Sequence, residues 1–142
     1  METGFGIMVA MDYDKENIKT FVTQILGCAC PEKVFSYIDC KSDVQLNENV
    51  VLKSKINVGN RLLIYIVEVN NRDSVKDIML SLVTMGKKER DNLRFNRFRL
   101  VLATDNLDEI KQVADSIFKT IDRDERVHLH IVSKVAIKIF KT

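Results

Sequence analysis

Residues 61–71, Arg-Leu-Leu-Ile-Tyr-Ile-Val-Glu-Val-Asn-Asn, constrain the fold of this chain more than any other stretch. Leu62 to Val67 is an unbroken apolar run rich in β-branched and aromatic side chains. A strand with one wet face alternates. One that does not alternate is covered on both faces, as in the middle of a parallel sheet flanked by helices. After Glu68 and the asparagines, apolar residues recur at 75, 78, 79, 82 and 83, with Asn71, Asp73 or Ser74 available as N-cap. That spacing is one face of an amphipathic helix. Strand, polar turn and helix make half of a βαβ unit, and the rest of the chain is read around it.

Phe5 to Met11 has the composition of a second buried strand, followed by a helical face at 18, 21, 22, 25 and 26. Gly27 is placed to end that helix, and Pro31 keeps it from continuing. Val34 to Asp39 alternates and reads as a strand; Cys40 to Asn49 is polar and reads as a loop. Asn49 to Val58 has strand composition, and Gly59-Asn60 supplies a turn, so this region is expected to form an antiparallel hairpin. Lys87 to Arg97 is charged and reads as irregular, and Phe98 to Ala103 as a strand. Asn106 and Glu109 have the spacing of a capping box for a helix with apolar residues at 110, 113, 114, 117, 118 and 121. Val127 to Val132 is the last strand. The order βα, ββ, βα, βα, β predicts one α/β domain over residues 1–142: a doubly wound, mostly parallel sheet with one antiparallel hairpin.

Composition narrows the function classes. A net charge of +2 argues against wholesale attraction to nucleic acid. No apolar run approaches the roughly 20 residues of a membrane span, and the acidic start of the chain lacks the basic region of a signal peptide. An odd number of cysteines with no secretory mark is expected to mean reduced thiols in the cytosol or nucleus.

In a doubly wound sheet the first strand-to-helix turn is the usual phosphate cradle, built on glycines whose backbone N–H groups wrap the anion. Here Lys19-Thr20 sits in the register of the lysine and hydroxyl of that motif, but the two glycine positions are Tyr13 and Ile18. A β-branched side chain at 18 blocks close approach of phosphate, and Asp12, Asp14 and Glu16 add like charge where an anion would sit. The later strand ends follow the same course. Asp105-Asn106-Leu107-Asp108 keeps the base-reading carboxylate of a Ras-type GTPase at Asp108 and lacks the lysine, and Val132-Ser133-Lys134 stands where Ser-Ala-Lys is expected. No nucleotide and no other cofactor is expected to bind, and no catalytic residue or metal ligand is nominated.

Residues 61–104 carry a closer resemblance. Arg61-Leu-Leu-Ile-Tyr-Ile-Val-Glu-Val-Asn70, Ser74-Val75, Ser81-Leu82 and Leu100-Val-Leu-Ala-Thr104 resemble the centromere protein M (CENP-M) family, a small-GTPase fold without nucleotide binding. The resemblance implies a non-enzymatic structural subunit of the inner kinetochore, in the nucleus at the centromere. There it would pack on the helical-repeat protein CENP-I in an assembly with CENP-H and CENP-K. The family continues into a substantial C-terminal helix, whereas this chain ends at Val135-Ala-Ile-Lys-Ile-Phe-Lys-Thr142, so a shortened C-terminus is expected. A nucleotide-free adaptor in another cytosolic pathway, such as trafficking, is the alternative with the same fold.

Other constellations have blander readings. Cys28, Cys30, Cys40, His128 and His130 supply zinc donors on paper, but Cys-x-Cys without a second pair reads as structural cysteines beside a half-exposed histidine pair. Lys87, Lys88, Arg90, Arg94, Arg97 and Arg99, interleaved with Phe95 and Phe98, form the densest basic cluster. It reads as a solvated or protein-facing patch ahead of a nucleic-acid contact. Asp12, Asp14 and Asp108 would share one sheet edge in a receiver-like, Mg²⁺-binding phosphoacceptor, yet the central strand ends in Glu68 where an acceptor aspartate is needed.

Overall fold

A computed structural model describes residues 15–121 and 124–140. Five strands form one mixed sheet: β1 (Ile38–Asn47), β2 (Val50–Val58), β3 (Leu62–Glu68), β4 (Arg97–Thr104) and β5 (Val127–Ser133). Three helices cover it: α1 (Lys15–Thr20), which runs on into a π-helical turn at Phe21–Ile25, α2 (Arg72–Leu93) and α3 (Leu107–Thr120). Two 3-10 segments, Glu32–Ser36 and Lys134–Phe140, complete the elements. The strand expected at Phe5–Met11 lies outside the described residues.

The central run behaves as its composition requires. Leu62 to Val67 is buried at every position, with helices on both faces. Leu63, Tyr65 and Val67 face α2 and α3; Leu62, Ile64 and Ile66 face α1 and the 3-10 segments. α2 starts at Asn71, whose side chain accepts from the Ser74 N–H at 2.9 Å, and buries Val75, Met79, Leu82 and Val83. α1 buries Ile18 and leads into Phe21, Val22 and Leu26, and Gly27 follows with a left-handed φ of +72°. Of that predicted face only Ile25 points outward.

Strand order departs from the expectation. Neighbours run β1-β2-β3-β4-β5 in chain sequence: β1, β2 and β3 pair antiparallel, and β3, β4 and β5 pair parallel. A doubly wound sheet reverses direction at a switch point, which sends its crossover helices to opposite faces. Among the described strands no reversal occurs, and α2 and α3 pack together on one face. The described sheet is thus half meander and half parallel rather than mostly parallel. Gly59 and Asn60 both have positive φ, and the Arg61 N–H bonds the Val58 carbonyl at 3.1 Å. These are the marks of a type I′ turn, whose twist suits the β2–β3 hairpin.

Three local expectations fail. The stretch read as a loop, 40–49, is most of β1: an edge strand held by its ladder to β2, with polar residues because much of it faces solvent. Val34 to Ser36, read as strand, is instead the end of a 3-10 turn that buries Val34 and Phe35. The charged stretch from Lys87 continues α2 by two turns, to Leu93, because its charges lie on a solvated face or in ion pairs. β2 also meets both cores: Val50 and Leu52 join one cluster, Ile56 and Val58 the other. Strong twist of the long hairpin carries the same side of the strand past both layers.

Candidate functional sites

Of the degenerate phosphate-loop positions, Tyr13 lies outside the described residues, as do Asp12 and Asp14. Ile18 is fully buried in the core beneath the sheet, so its β-branched bulk serves packing. Lys19 turns to the 3-10 segment, pairing with Glu32 and lying 5.8 Å from the Phe35 ring centroid. Thr20 is exposed, and Asp108 is exposed in the first turn of α3.

In α/β sheets the carboxyl ends of parallel strands are the usual place for a ligand. Here those ends are tied to each other. Lys134 follows β5 and donates to the Asn70 side-chain oxygen at 2.8 Å, with Asp105 3.7 Å away. Asn106 donates through Nδ2 to the Asn70 carbonyl at 3.2 Å and through its backbone N–H to Thr104 Oγ1 at 3.0 Å. The capping box expected at Asn106 is therefore not formed: its amide spans the strand ends and makes no side-chain cap bond to α3.

The basic cluster is divided by the fold. Lys88 and Arg94 are exposed at the end of α2, and Lys87 is half-buried. Arg90 is only 2 % exposed and is clamped by Asp124 through Nη1 and Nη2 at 3.0 and 2.8 Å, with Asp91 accepting from Nε at 3.0 Å. It is a structural ion pair, so Arg90 leaves the contact patch. Phe95 and Phe98 are buried in the core, which removes the aromatic platforms a base-stacking surface needs. Arg97 and Arg99 project from β4 toward the α1 face.

That face holds an arrangement no local pattern announces. The Arg97 Nη1 meets His128 Nε2 at 3.0 Å, and the Arg99 Nη1 meets His130 Nε2 at 2.9 Å. Guanidinium only donates, so both ring nitrogens accept and both imidazoles are neutral. Burial, then Arg99, holds His130 down at about 4; burial, then Arg99 and Arg97, lowers His128 as well. Arg99 also donates to the Leu26 carbonyl at 3.2 Å, and its Nε is buried without a partner. The only sequence hint was the shared face of His128 and His130; their pairing with the arginines depends on the β4–β5 register, Arg99 beside His128.

Cys28 and Cys30 are joined in a disulfide with Cα atoms 5.3 Å apart, within bridging reach, and Cys40 is free. The expectation of reduced thiols fails for that pair, whose sulfurs are bonded to each other and are no longer zinc donors. Among the described residues no three His, Cys, Asp or Glu side chains converge as a metal site, and no helix is long and apolar enough to cross a membrane. Compared with protein-family models, with curated proteins and with solved structures, the chain matches none.

Proposed function

We propose that this chain is a non-catalytic binding subunit. The observation that carries the reading is the cross-linking at the carboxyl ends of the parallel strands, where Asn106 and Lys134 both hydrogen-bond Asn70 and Asp105 lies 3.7 Å from Lys134. Polar groups that a nucleotide or substrate would need there are spent on holding three loops together. A sheet and its helices persist without a working site, because stability resides in the packed layers.

The specific form of the reading is a scaffold of the inner kinetochore, contacting CENP-I together with CENP-H and CENP-K. Its support is the resemblance of residues 61–104 to the centromere protein M family, and the small-GTPase form of the fold rests on that resemblance and not on the order of the described strands. The receiver-like alternative gains nothing: β3 ends in Glu68, and Asp108 stands exposed on α3.

Affinity purification of the tagged protein from its own cells, read by mass spectrometry, tests the proposal. Recovery of CENP-I, CENP-H and CENP-K is the expected result. Vesicle-coat partners in their place would keep a binding subunit and remove the centromere. Hydrolysis of GTP by the purified protein would overturn the non-catalytic reading itself.

A further inference from the structure

The amino ends of β3, β4 and β5 border a cavity of about 430 Å³, within the range of small-molecule sites. Arg61 and Asn96 stand exposed at its mouth, Arg97 is half-buried, and Arg99, 8 % exposed, lies deepest. Pro31, Val34 and Leu62 give it an apolar wall.

The charges here are unbalanced. Among the described residues none of Arg61, Arg97 and Arg99 has a carboxylate partner, although every other buried guanidinium charge is answered: Arg90 has Asp124 and Asp91. Asp124, the nearest acidic influence on His128, has its oxygens committed to Arg90 and to the Arg126 N–H. The histidines that meet Arg97 and Arg99 are neutral acceptors and cancel no charge. A buried, unpaired guanidinium is strongly unfavourable, and an orphaned buried Nε adds to it. Such a group is usual where an anion completes the site, since arginine's fixed fork of donors matches phosphate oxygens.

Two adjacent guanidinium charges correspond to the charge of one phosphate monoester, about −1.5 to −2 at neutral pH. We propose that this cavity binds a small phosphorylated molecule, its phosphoryl group held between Arg97 and Arg99 and its organic part lying against Pro31, Val34 and Leu62. Arg61 at the mouth draws the anion in. The site is at the opposite ends of the strands from the Asn70–Lys134 cluster, so it stands whether or not the kinetochore reading does.

Inorganic phosphate and phenyl phosphate are the probes, titrated into the full chain at constant ionic strength against chloride. Thermal unfolding and amide NMR shifts are the readouts. Phosphate should raise the melting temperature saturably, with phenyl phosphate binding more tightly because its ring covers the apolar wall. Arg97→Gln, at a half-buried position that spares the core, should weaken both about tenfold, the loss of one charge-assisted contact. Lys88→Gln, on exposed α2, should change neither. Absence of saturable stabilisation, or Arg97→Gln titrating like the native chain, overturns the proposal. Tighter binding of benzoate than of phenyl phosphate overturns the phosphoryl assignment, since it would make this a carboxylate site.

Discussion

Gly86 of α2 faces the ring of Phe98 on β4 so closely that a Cβ at Gly86 would lie 2.1 Å from Cζ and 2.2 Å from Cε2. The same ring meets Tyr65 edge-on, with centroids 4.9 Å apart at 76°. Phe98 therefore has no easy direction in which to retreat. Gly86→Ala gains about 1 kcal/mol of helix propensity, but forced repacking is expected to leave a net loss of about 1–3 kcal/mol. Urea denaturation measures it. A midpoint equal to or above that of the native chain would show that α2 can move off the sheet, and Phe98→Leu in the Gly86→Ala background should recover part of the loss.

Arg90 and Asp124 make a second test, with a definite sign in pH. The hydrogen bonds from Arg90 hold Asp124 down at about 2, from an ordinary 3.8. A carboxylate with a depressed folded pKa contributes stability that is fully present above 3.8 and is lost as pH falls toward about 2. Asp124→Asn should flatten that part of the stability curve between about pH 4 and 2. At neutral pH it should destabilise by about 1–3 kcal/mol, less than a fully orphaned buried charge, because Asp91 still reaches Arg90 at 2.9 Å. Identical acid limbs in the two proteins would show that the pair contributes nothing.

What the sequence revealed, and what it hid, follows from the range of the interactions. Leu62 to Val67 and the faces at 75–83 and 110–114 were legible because burial on one or two faces writes a local period. β1 was not, since an edge strand is held by backbone bonds and can carry Lys41, Ser42 and Asp43 toward solvent. Charge density misled at 87–93, where Glu89 in fact bonds Tyr65 and Lys55, and Arg90 bonds Asp124 across 34 residues. The strand order and the Arg97–His128 and Arg99–His130 contacts were beyond reach for the same reason. They depend on which strands pair and in what register, and no spacing within β4 or β5 encodes that. Of the positions carried over from a phosphate loop, Ile18 is buried in the core and Lys19 pairs with Glu32 across thirteen residues, contacts that the local motif does not encode.

The two asparagines that precede helices should behave differently. Asn71 caps α2 through the Ser74 N–H, so Asn71→Ala should lose about 1 kcal/mol. Asn106 makes no cap bond, and its amide holds the Asn70 carbonyl instead. Asn106→Ala should therefore loosen the loop at Asn70 with little effect on α3. Amide hydrogen exchange separates the two outcomes: faster exchange in the first turn of α2 for one, and at the strand ends for the other. Equal fraying of α3 in Asn106→Ala would assign that residue a capping role.

The cysteines divide by reactivity. With Cys28 and Cys30 bonded, a thiol reagent should modify one residue of the unreduced chain and three after reduction in denaturant. Cys40 should react slowly while folded, because burial pushes its thiol up to about 11 and leaves little thiolate at neutral pH. Reduction should lower stability by only about 1–2 kcal/mol, because so short a loop removes little entropy from the unfolded chain. A larger loss would mean that the bridge holds the Cys28–Pro31 wall of the cavity beside Arg99. Phosphate stabilisation should then fall with reduction, whereas an unchanged response would separate the bridge from the cavity.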